Sequence, residues 1–419
     1  MGEPFGSEPA TRRGSLLGRM ALVLNAGLAI ALAVIWIGMA ARGEFWGADF
    51  TGFYTGWAMV LDDQGDRLYD LNLQIAYQQR IAPELAATGG RLLFNYPPHV
   101  AVPAAVLAFL PCCAAFYAWS LIQLALLIPL ARFLHQLTPD RSPRAFLLVL
   151  VTVAAFPPLF MSFQMGQVSL LILVCLLGFV CNLERNNFFW TAFWLALLTI
   201  KPQFLLAPTA ILFAGRRWRE MGVAAFLFAS WALLASSVLG WSRWIEFATV
   251  IRHLAWQFGS DGIYPLAMYN FKGFLTSALG GERVALVNFL SAAAVPFVLS
   301  VMLAMWRKPA RTASPEWDLR LSLTLFLALL VNPHFNPADA VTLITPAILF
   351  YRGLKRSGQS ARAVAIILVC GPLLFALDCY GRMATRPMAI HPFFLLMVAL
   401  TGAVAVAVVR VRAEAPQAA

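Results

Sequence analysis

The sequence predicts an all-α, polytopic membrane protein. Of its 419 residues, 60% are hydrophobic and only 12% are charged. The mean hydropathy is +0.73, and long apolar runs recur along the chain. These features are typical of membrane-spanning segments. Because an open strand in lipid would leave backbone polar groups unsatisfied, we expect the apolar runs to be helices.

The apolar runs predict a bundle of about twelve spans. The first, about 16–41, is long enough to be kept as an anchor rather than cleaved as a signal peptide. The other runs lie at 112–134, 145–163, 168–183, 188–200, 204–214, 221–240, 284–306, 319–331, 338–351, 363–380 and 393–409. An even count places both termini on one side. The run 99–110 is too short to span comfortably and is expected to lie at the membrane interface.

The basic residues predict the orientation of the bundle. Most of the 31 Lys and Arg residues fall in short segments on one side, which the positive-inside rule makes cytoplasmic. The tails 1–15 and 410–419 then face the cytoplasm, and we expect a bacterial plasma membrane protein. Since these charges flank helix ends, the net charge of +11 does not indicate nucleic-acid binding. In an alternative topology, 99–110 spans and 188–214 is one broken helix, which exports the arginines near 132–144 and at 185.

The polar interruptions of the preferred topology all fall on the outer face. They are the first outer loop with its juxtamembrane helix (42–111), the turn 164–167, the break 201–203, the second outer loop 241–283 and the segment 332–339. Irregular backbone at membrane depth is tolerated only where it lines a cavity. We therefore expect the functional site at this face.

Three side chains in these interruptions are candidates for chemistry. Asp49 follows the first helix among glycines and aromatic residues, which suits a close-fitting site for a general base. Lys201 lies between two short apolar runs, where a charge is expensive unless it is functional, and an anionic group such as a phosphate would be its partner. His334 lies between two prolines and is either a packing residue or an acid–base group near Asp49.

Several other chemistries have no support in the sequence. There is no phosphate-cradling glycine loop, no nucleophile elbow and no metal-ligand histidine pair. The six cysteines lie in or beside apolar runs without metal-ligand spacing, so we expect inert thiols. We predict no cofactor and no metal ligands, although metal dependence stays open.

Short motifs in a fixed order resemble glycosyltransferase family 87, whose members have the GT-C fold and are related to polyprenol-phosphate-mannose-dependent mannosyltransferases. The motifs are Asp49, Tyr96-Pro97-Pro98, Gly166-Gln167, Lys201-Pro202, Arg216-Arg217-Trp218-Arg219 and His334, within roughly 20–350. Ser169 departs from the pattern, which has an asparagine after the Gly-Gln turn.

The resemblance implies transfer of a sugar, mannose or another hexose, from a polyprenyl-phosphate donor to a glycan or lipid acceptor at the outer face. It implies inversion, with Asp49 as general base and Lys201 beside the donor phosphate. His334 is the second predicted catalytic residue. The predicted substrate contacts are Tyr54, Trp57, Tyr96, Gln167 and Asn336. Aromatic rings such as Tyr54 and Trp57 can stack on a sugar or belong to the interfacial aromatic belt.

Two other function classes stay open from the residues alone. A secondary transporter also places charges at mid-membrane, but it should show inverted repeats of broken helices, which the chain lacks. A non-catalytic membrane component of an envelope polysaccharide pathway fits the hydrophobicity. It leaves the placement of Asp49 and Lys201 unexplained.

Overall fold

The computed structural model describes residues 9–42, 48–83, 91–254, 264–308, 310–385 and 392–414. Eighteen α-helices make up most of these residues, which contain no strands. They are α1 Pro9–Ala41, α2 Ala48–Leu61, α3 Leu71–Ile81, α4 Pro98–Ala104, α5 Cys112–Leu137, α6 Pro143–Ala154, α7 Pro157–Gln164, α8 Ser169–Glu184, α9 Phe188–Leu197, α10 Leu206–Ala214, α11 Trp218–Leu239, α12 Arg243–Leu254, α13 Phe271–Leu279, α14 Val284–Trp306, α15 Pro315–Leu330, α16 Ile344–Arg356, α17 Arg362–Thr385 and α18 Pro392–Glu414. The predicted all-α class is confirmed.

The predicted count of about twelve spans is not confirmed. Within the described residues, six helices are long and apolar enough to cross a membrane: Arg19–Ala41, Cys112–Leu137, Trp218–Leu239, Val284–Trp306, Arg362–Cys379 and Pro392–Glu414. The pair α6 and α7, bent by 51° where Pro157 and Pro158 interrupt the helix, would make a seventh.

The remaining apolar runs are short helices whose hydrophobicity serves packing as well as membrane contact. Helix α8 has 16 residues, and nearly all of them are buried among other helices. Helices α9 and α10 have only 10 and 9 residues and are separated by two 3₁₀ turns around Lys201. A sequence count of apolar runs cannot separate a buried short helix from a full span, because both are apolar on all sides.

The ends of the chain differ from the predicted domain bounds. Helix α1 begins at Pro9, within the predicted tail 1–15, and the candidate span in it begins at Arg19. Helix α18 continues to Glu414, beyond the predicted start of the C-terminal tail at 410. Residues 1–8 and 415–419 lie outside the described part of the chain.

The first outer segment is mostly helical rather than a loop. Helix α2 carries Asp49 in its first turn, where a carboxylate is favoured by the helix dipole. Gly52 and Gly56 let the segment 91–96 approach this helix closely. A Cβ on Gly52 would lie 2.9 Å from the Leu92 oxygen, and a Cβ on Gly56 would lie 2.5 Å from the Phe94 ring. Residues 43–47 and 84–90, with Glu44, Gly47 and Glu84, lie outside the described residues.

The segment 98–109 is a short helix, α4, followed by a 3₁₀ turn. It packs against α2 and α11, and Val106 and Phe109 are exposed. A helix of this length does not reach across a bilayer. The second outer segment, 241–283, contains α12 and α13, and residues 255–263 lie outside the described chain.

The segments predicted to be cytoplasmic meet in one buried charge network. Arg352 pairs with Asp318 at 2.5 Å and with Glu184 at 3.1 Å, and Arg356 also pairs with Asp318 at 2.9 Å. The paired arginines and acids join the ends of α8, α15 and α16. At the opposite end lie Asp49, Lys201 and His334.

The predicted orientation can be tested by labelling single cysteines in a cysteine-free background. Asp66 and Ser142 are both exposed and belong to segments predicted to face opposite sides. We expect an impermeant maleimide to label Asp66→Cys from outside and Ser142→Cys only after permeabilisation. Outside labelling of Ser142→Cys would favour the alternative topology in which 132–144 is exported.

Candidate active site

Asp49 is connected to two distant segments by side-chain hydrogen bonds. Gln167 Nε2 donates to Asp49 Oδ2 at 2.7 Å, and the Tyr96 hydroxyl donates to Gln167 Oε1 at 3.1 Å. Burial raises the pKa of the Tyr96 hydroxyl to about 12, so it remains a donor at neutral pH. Tyr69 donates to the Tyr96 carbonyl at 2.6 Å and holds that residue in place. Three predicted site residues, Asp49, Gln167 and Tyr96, are thus linked by consecutive hydrogen bonds.

The Gly166-Gln167 turn is held by several buried contacts. Trp119 Nε1 donates to the Gly166 carbonyl at 2.8 Å, and Ser162 Oγ donates to the Gln167 carbonyl at 3.2 Å. Gly166 has a positive φ of 61°, and a Cβ there would lie 2.7 Å from the Phe50 Cβ. The Phe50 amide donates to the Met165 carbonyl at 3.0 Å. The turn therefore packs directly on the first turn of α2 and fixes Gln167 opposite Asp49.

Lys201 is buried in an ion pair that the sequence did not predict. Lys201 Nζ lies 2.6 Å from Asp339 Oδ1, with side-chain exposures of 4% and 0%. Ser169 Oγ also donates to Asp339 Oδ1 at 2.6 Å. Burial opposes the charge of Lys201, but the charge and hydrogen bond of Asp339, together with Tyr96 and Asp49, outweigh it and raise the pKa of the lysine. Asp339 also caps the start of the following 3₁₀ helix, since its carboxylate accepts from the Asn336 amide at 3.3 Å.

His334 and Asn336 lie on the segment that leads to Asp339. Asn336 Nδ2 lies 3.0 Å from His334 Nε2. Because an amide nitrogen only donates, Nε2 is the acceptor here and Nδ1 carries the proton. Burial lowers the pKa of His334 to about 4, so the ring is neutral near pH 7. The His334 backbone amide donates to Asn332 Oδ1 at 3.0 Å, which fixes the turn.

The polar groups of this cluster differ in exposure. Asp49, Tyr96, His334 and Asn336 are partly exposed, whereas Gln167, Lys201, Asp339 and Ser169 are buried. The charges of Lys201 and Asp339 both act on Asp49. Protein packed around Asp49 raises the pKa of its carboxyl, which the hydrogen bond from Gln167 and the charge of Lys201 partly offset. Asp49 is therefore a partly exposed residue whose carboxyl has a raised pKa.

Two predicted substrate contacts lie in the aromatic core beneath α2. Trp57 is 1% exposed and packs against Phe50 and Trp119, at centroid distances of 5.6 and 5.8 Å. The Tyr54 hydroxyl donates to the Leu110 carbonyl at 2.7 Å. These contacts explain both rings as packing residues, and a contact of either with substrate stays a prediction.

The arginine-rich motif lies away from this site. Arg217 pairs with Glu220 at 3.1 Å and donates to Asn186 Oδ1 at 2.7 Å, beside the charge network of the opposite end. In the described residues, no group of three His, Cys, Asp or Glu side chains is placed to hold a metal ion. The residues that sequence reasoning missed are Asp339, Ser169, Trp119 and Ser162. Of these, Asp339 could have been found as an acid beginning an apolar run.

Comparison with protein families found one match. The model of glycosyltransferase family 87 matches residues 94–333, more than half of the chain. The chain belongs to glycosyltransferase family 87. The searches of curated proteins and of solved structures found no match.

The family match covers only part of the site. Its range includes Tyr96, Gln167 and Lys201 but stops before His334 and begins after Asp49. The tertiary structure supplies the connection, because Gln167 bonds to Asp49 and Lys201 pairs with Asp339. The candidate site thus joins residues within the matched range to residues on both sides of it.

The ion pair predicts how substitutions at Lys201 affect stability. In Lys201→Met, the buried Asp339 carboxylate loses its partner, which typically costs about 3–5 kcal/mol of folding free energy. We expect a clearly lower midpoint of thermal unfolding in detergent. The double variant Lys201→Met/Asp339→Asn should recover much of the loss because no buried charge remains.

The exposed Lys355 provides a matched control. Lys355→Met should unfold within a degree or two of wild type, since surface charges contribute little. If Lys201→Met unfolds like Lys355→Met, the pair does not stabilise the fold. Lys201→Arg keeps the charge and is the better variant for activity measurements.

Proposed function

We propose that this protein transfers a hexose, such as mannose, from a polyprenyl-phosphate donor to a glycan or glycolipid acceptor. We place the reaction at the outer face of the bacterial plasma membrane, with both termini in the cytoplasm. Family membership and the apolar helices support a membrane glycosyltransferase. The 2.7 Å bond from Gln167 to Asp49 is the observation that carries the proposal, since it joins a carboxylate to the family-matched region.

Asp49 is our candidate for the general base of an inverting transfer. Its carboxylate takes the proton of the acceptor hydroxyl as that oxygen attacks the anomeric carbon. The bond between the anomeric carbon and the phosphate oxygen breaks, and the phosphate leaves with the electron pair. Gln167 aims the Asp49 carboxylate, and the raised pKa of Asp49 strengthens it as a base.

The departing phosphate gains negative charge, which the site must stabilise. We assign this task to Lys201, whose positive charge acts on Asp49 and Tyr96 in the same cluster. Because Asp339 already pairs with Lys201, we expect the phosphate and Asp339 to share the positive charge of the lysine. The neutral His334 can add a hydrogen bond from Nδ1–H, and this would be its catalytic contribution.

Polar side chains of this cluster suit recognition of a sugar: Tyr96 and Asn336 are partly exposed, and the buried Gln167 lies beside Asp49. The Tyr96 hydroxyl, the Gln167 amide and the Asn336 amide are proposed to bond to sugar hydroxyls. Tyr54 and Trp57 keep their proposed role as aromatic contacts. The lipid-linked donor is a co-substrate, so the proposal requires no separate cofactor.

Asp49→Asn tests the base directly. Asparagine is nearly isosteric and its oxygen can still accept from Gln167, but it cannot take a proton. We expect the transfer rate to fall by about 10²–10⁴-fold with donor binding retained. The measurement is transfer from purified polyprenyl-phosphate sugars to a matched acceptor.

Solvated carboxylates of the same segment are the controls. Asp62, Asp63 and Asp66 are exposed, so their Asn variants should stay within a few-fold of wild type. Near wild-type transfer by Asp49→Asn would exclude Asp49 as the base.

Gln167→Leu tests how Asp49 is tuned. The Gln167 hydrogen bond favours the charged carboxylate and lowers its pKa, so its loss raises that pKa further. Activity requires the deprotonated form and is lost as pH falls through this pKa. We therefore expect the acid limb of the pH–rate profile to move to higher pH in Gln167→Leu.

Gln164→Leu is the matched control, because Gln164 lies in the same turn and contacts the Met39 sulfur instead. The acid limb of the pH–rate profile of Gln164→Leu should lie at the same pH as that of the wild type. An unmoved limb in Gln167→Leu, with activity retained, would show that this bond does not tune the base.

A further inference from the structure

His99 is a buried polar side chain that the proposed mechanism does not use. It lies in the first turn of α4, three residues after Tyr96, and its side chain is fully enclosed. Its Nε2 atom lies 3.1 Å from the Thr199 hydroxyl oxygen, across 100 residues of chain. Thr199 belongs to the 3₁₀ turn that ends at Lys201. The bond therefore joins the two segments that carry Tyr96 and Lys201.

The direction of this hydrogen bond follows from the partners of Thr199. The Thr199 hydroxyl already donates to the Ala196 carbonyl at 2.6 Å, so its single proton is used. His99 Nε2 must then be the donor, and the neutral ring carries its proton on Nε2. His99 Nδ1 is buried, and the described part of the chain offers it no hydrogen-bond partner.

Aromatic rings hold the imidazole in this orientation. Trp244 stacks on it at a centroid distance of 5.6 Å and an angle of 14°, and Trp231 meets it edge-on at 4.4 Å. Trp244 is itself anchored, since its Nε1 donates to Ser236 Oγ at 2.9 Å. The ring therefore has little freedom to rotate, and its one hydrogen bond is directed at Thr199.

A purely packing role explains the ring stack but not the choice of side chain. An apolar ring would fill this aromatic surrounding without leaving a nitrogen buried and unsatisfied, which is unfavourable. The imidazole provides one thing that phenylalanine does not, a donor to Thr199.

We propose that His99 is a positioning residue that sets the separation of the two walls of the active site. One wall is the Tyr96–Gln167–Asp49 chain, which orients the base. The other is the turn at Thr199 that ends at Lys201, the proposed phosphate partner. The inference rests on the proposed function, because it concerns the alignment of the base with the leaving group.

Steady-state kinetics of single and double variants at His99 and Thr199 test this role. His99→Phe keeps a ring but removes the donor, and Thr199→Val keeps the shape but removes the acceptor. We expect each to lower kcat roughly three- to tenfold with less than a twofold change in the KM of the donor. Thr199→Ser keeps the hydroxyl, and His99→Gln places an amide donor near the Nε2 position, so both should retain more activity.

The double variant His99→Phe/Thr199→Val decides whether the two residues act through one bond. If they do, it should be no slower than the worse single variant. Thr191→Val is the matched control, because Thr191, like Thr199, donates its hydroxyl to a backbone carbonyl of the preceding turn, that of Asn187. Multiplied losses in the double variant, or a loss in Thr191→Val equal to that in Thr199→Val, would overturn the proposal. So would unchanged kcat per folded protein in His99→Phe.

A spectroscopic measurement separates this inference from the proposed function. The chain has five histidines, and ¹⁵N-histidine NMR of wild type and His99→Phe identifies the His99 signals by difference. We expect a neutral ring protonated at Nε2, with a changed Nε2 shift in Thr199→Val. A proton on Nδ1 would overturn the inference even if transfer is observed. If the spectrum is as expected but the protein transfers no sugar from polyprenyl-phosphate donors, the hydrogen bond between His99 and Thr199 is supported and the proposed function is refuted.

Discussion

The ion pair between Lys201 and Asp339 is the constraint on which the rest of the site depends. A lysine and an aspartate enclosed among apolar helices are tolerable only together, because either charge alone would be costly to bury. Their 2.6 Å contact fixes the break between α9 and α10 against the segment that begins α16. Ser169 bonds to the same Asp339 oxygen and brings the start of α8 to this point. Three helix ends therefore meet at one charge pair.

Most candidate site residues come from breaks between helices, and Asp49 lies in the first turn of α2. The turn at Gly166, the break at Lys201 and the segment around His334 each interrupt an apolar run, and two of them adjoin proline. Freed backbone groups at such breaks need partners. The partners come from neighbouring helices: the Phe50 amide, in the first turn of α2, donates to the Met165 carbonyl, and Trp119 of α5 donates to the Gly166 carbonyl. The breaks between helices therefore both place the site residues and require the hydrogen bonds that hold them.

The two ends of the bundle use charge differently. At the end with the basic segments, the paired arginines and acids balance one another, and Asp318 and Arg352 are both buried. At the site end, Lys201 and Asp339 also balance, but the hydrogen-bond partner of the Asp49 side chain among the described residues is the neutral Gln167. A carboxylate held by a neutral amide keeps more of its basicity than one held by a cation. This difference favours chemistry at Asp49 and structural roles at Asp318.

The sequence by itself determined the helical membrane class, the family and the polar breaks, because hydrophobicity and short motifs are local properties. It also singled out Asp49, Gln167 and Lys201, which the structure brings to one end of the bundle. Only the tertiary structure decided that Asp339 pairs with Lys201 and that α2 is a helix packed on the Gly166 turn. Only it showed that Trp57 faces the core. Burial and pairing join residues more than a hundred positions apart, as Lys201 and Asp339 are, and no local pattern encodes such a contact.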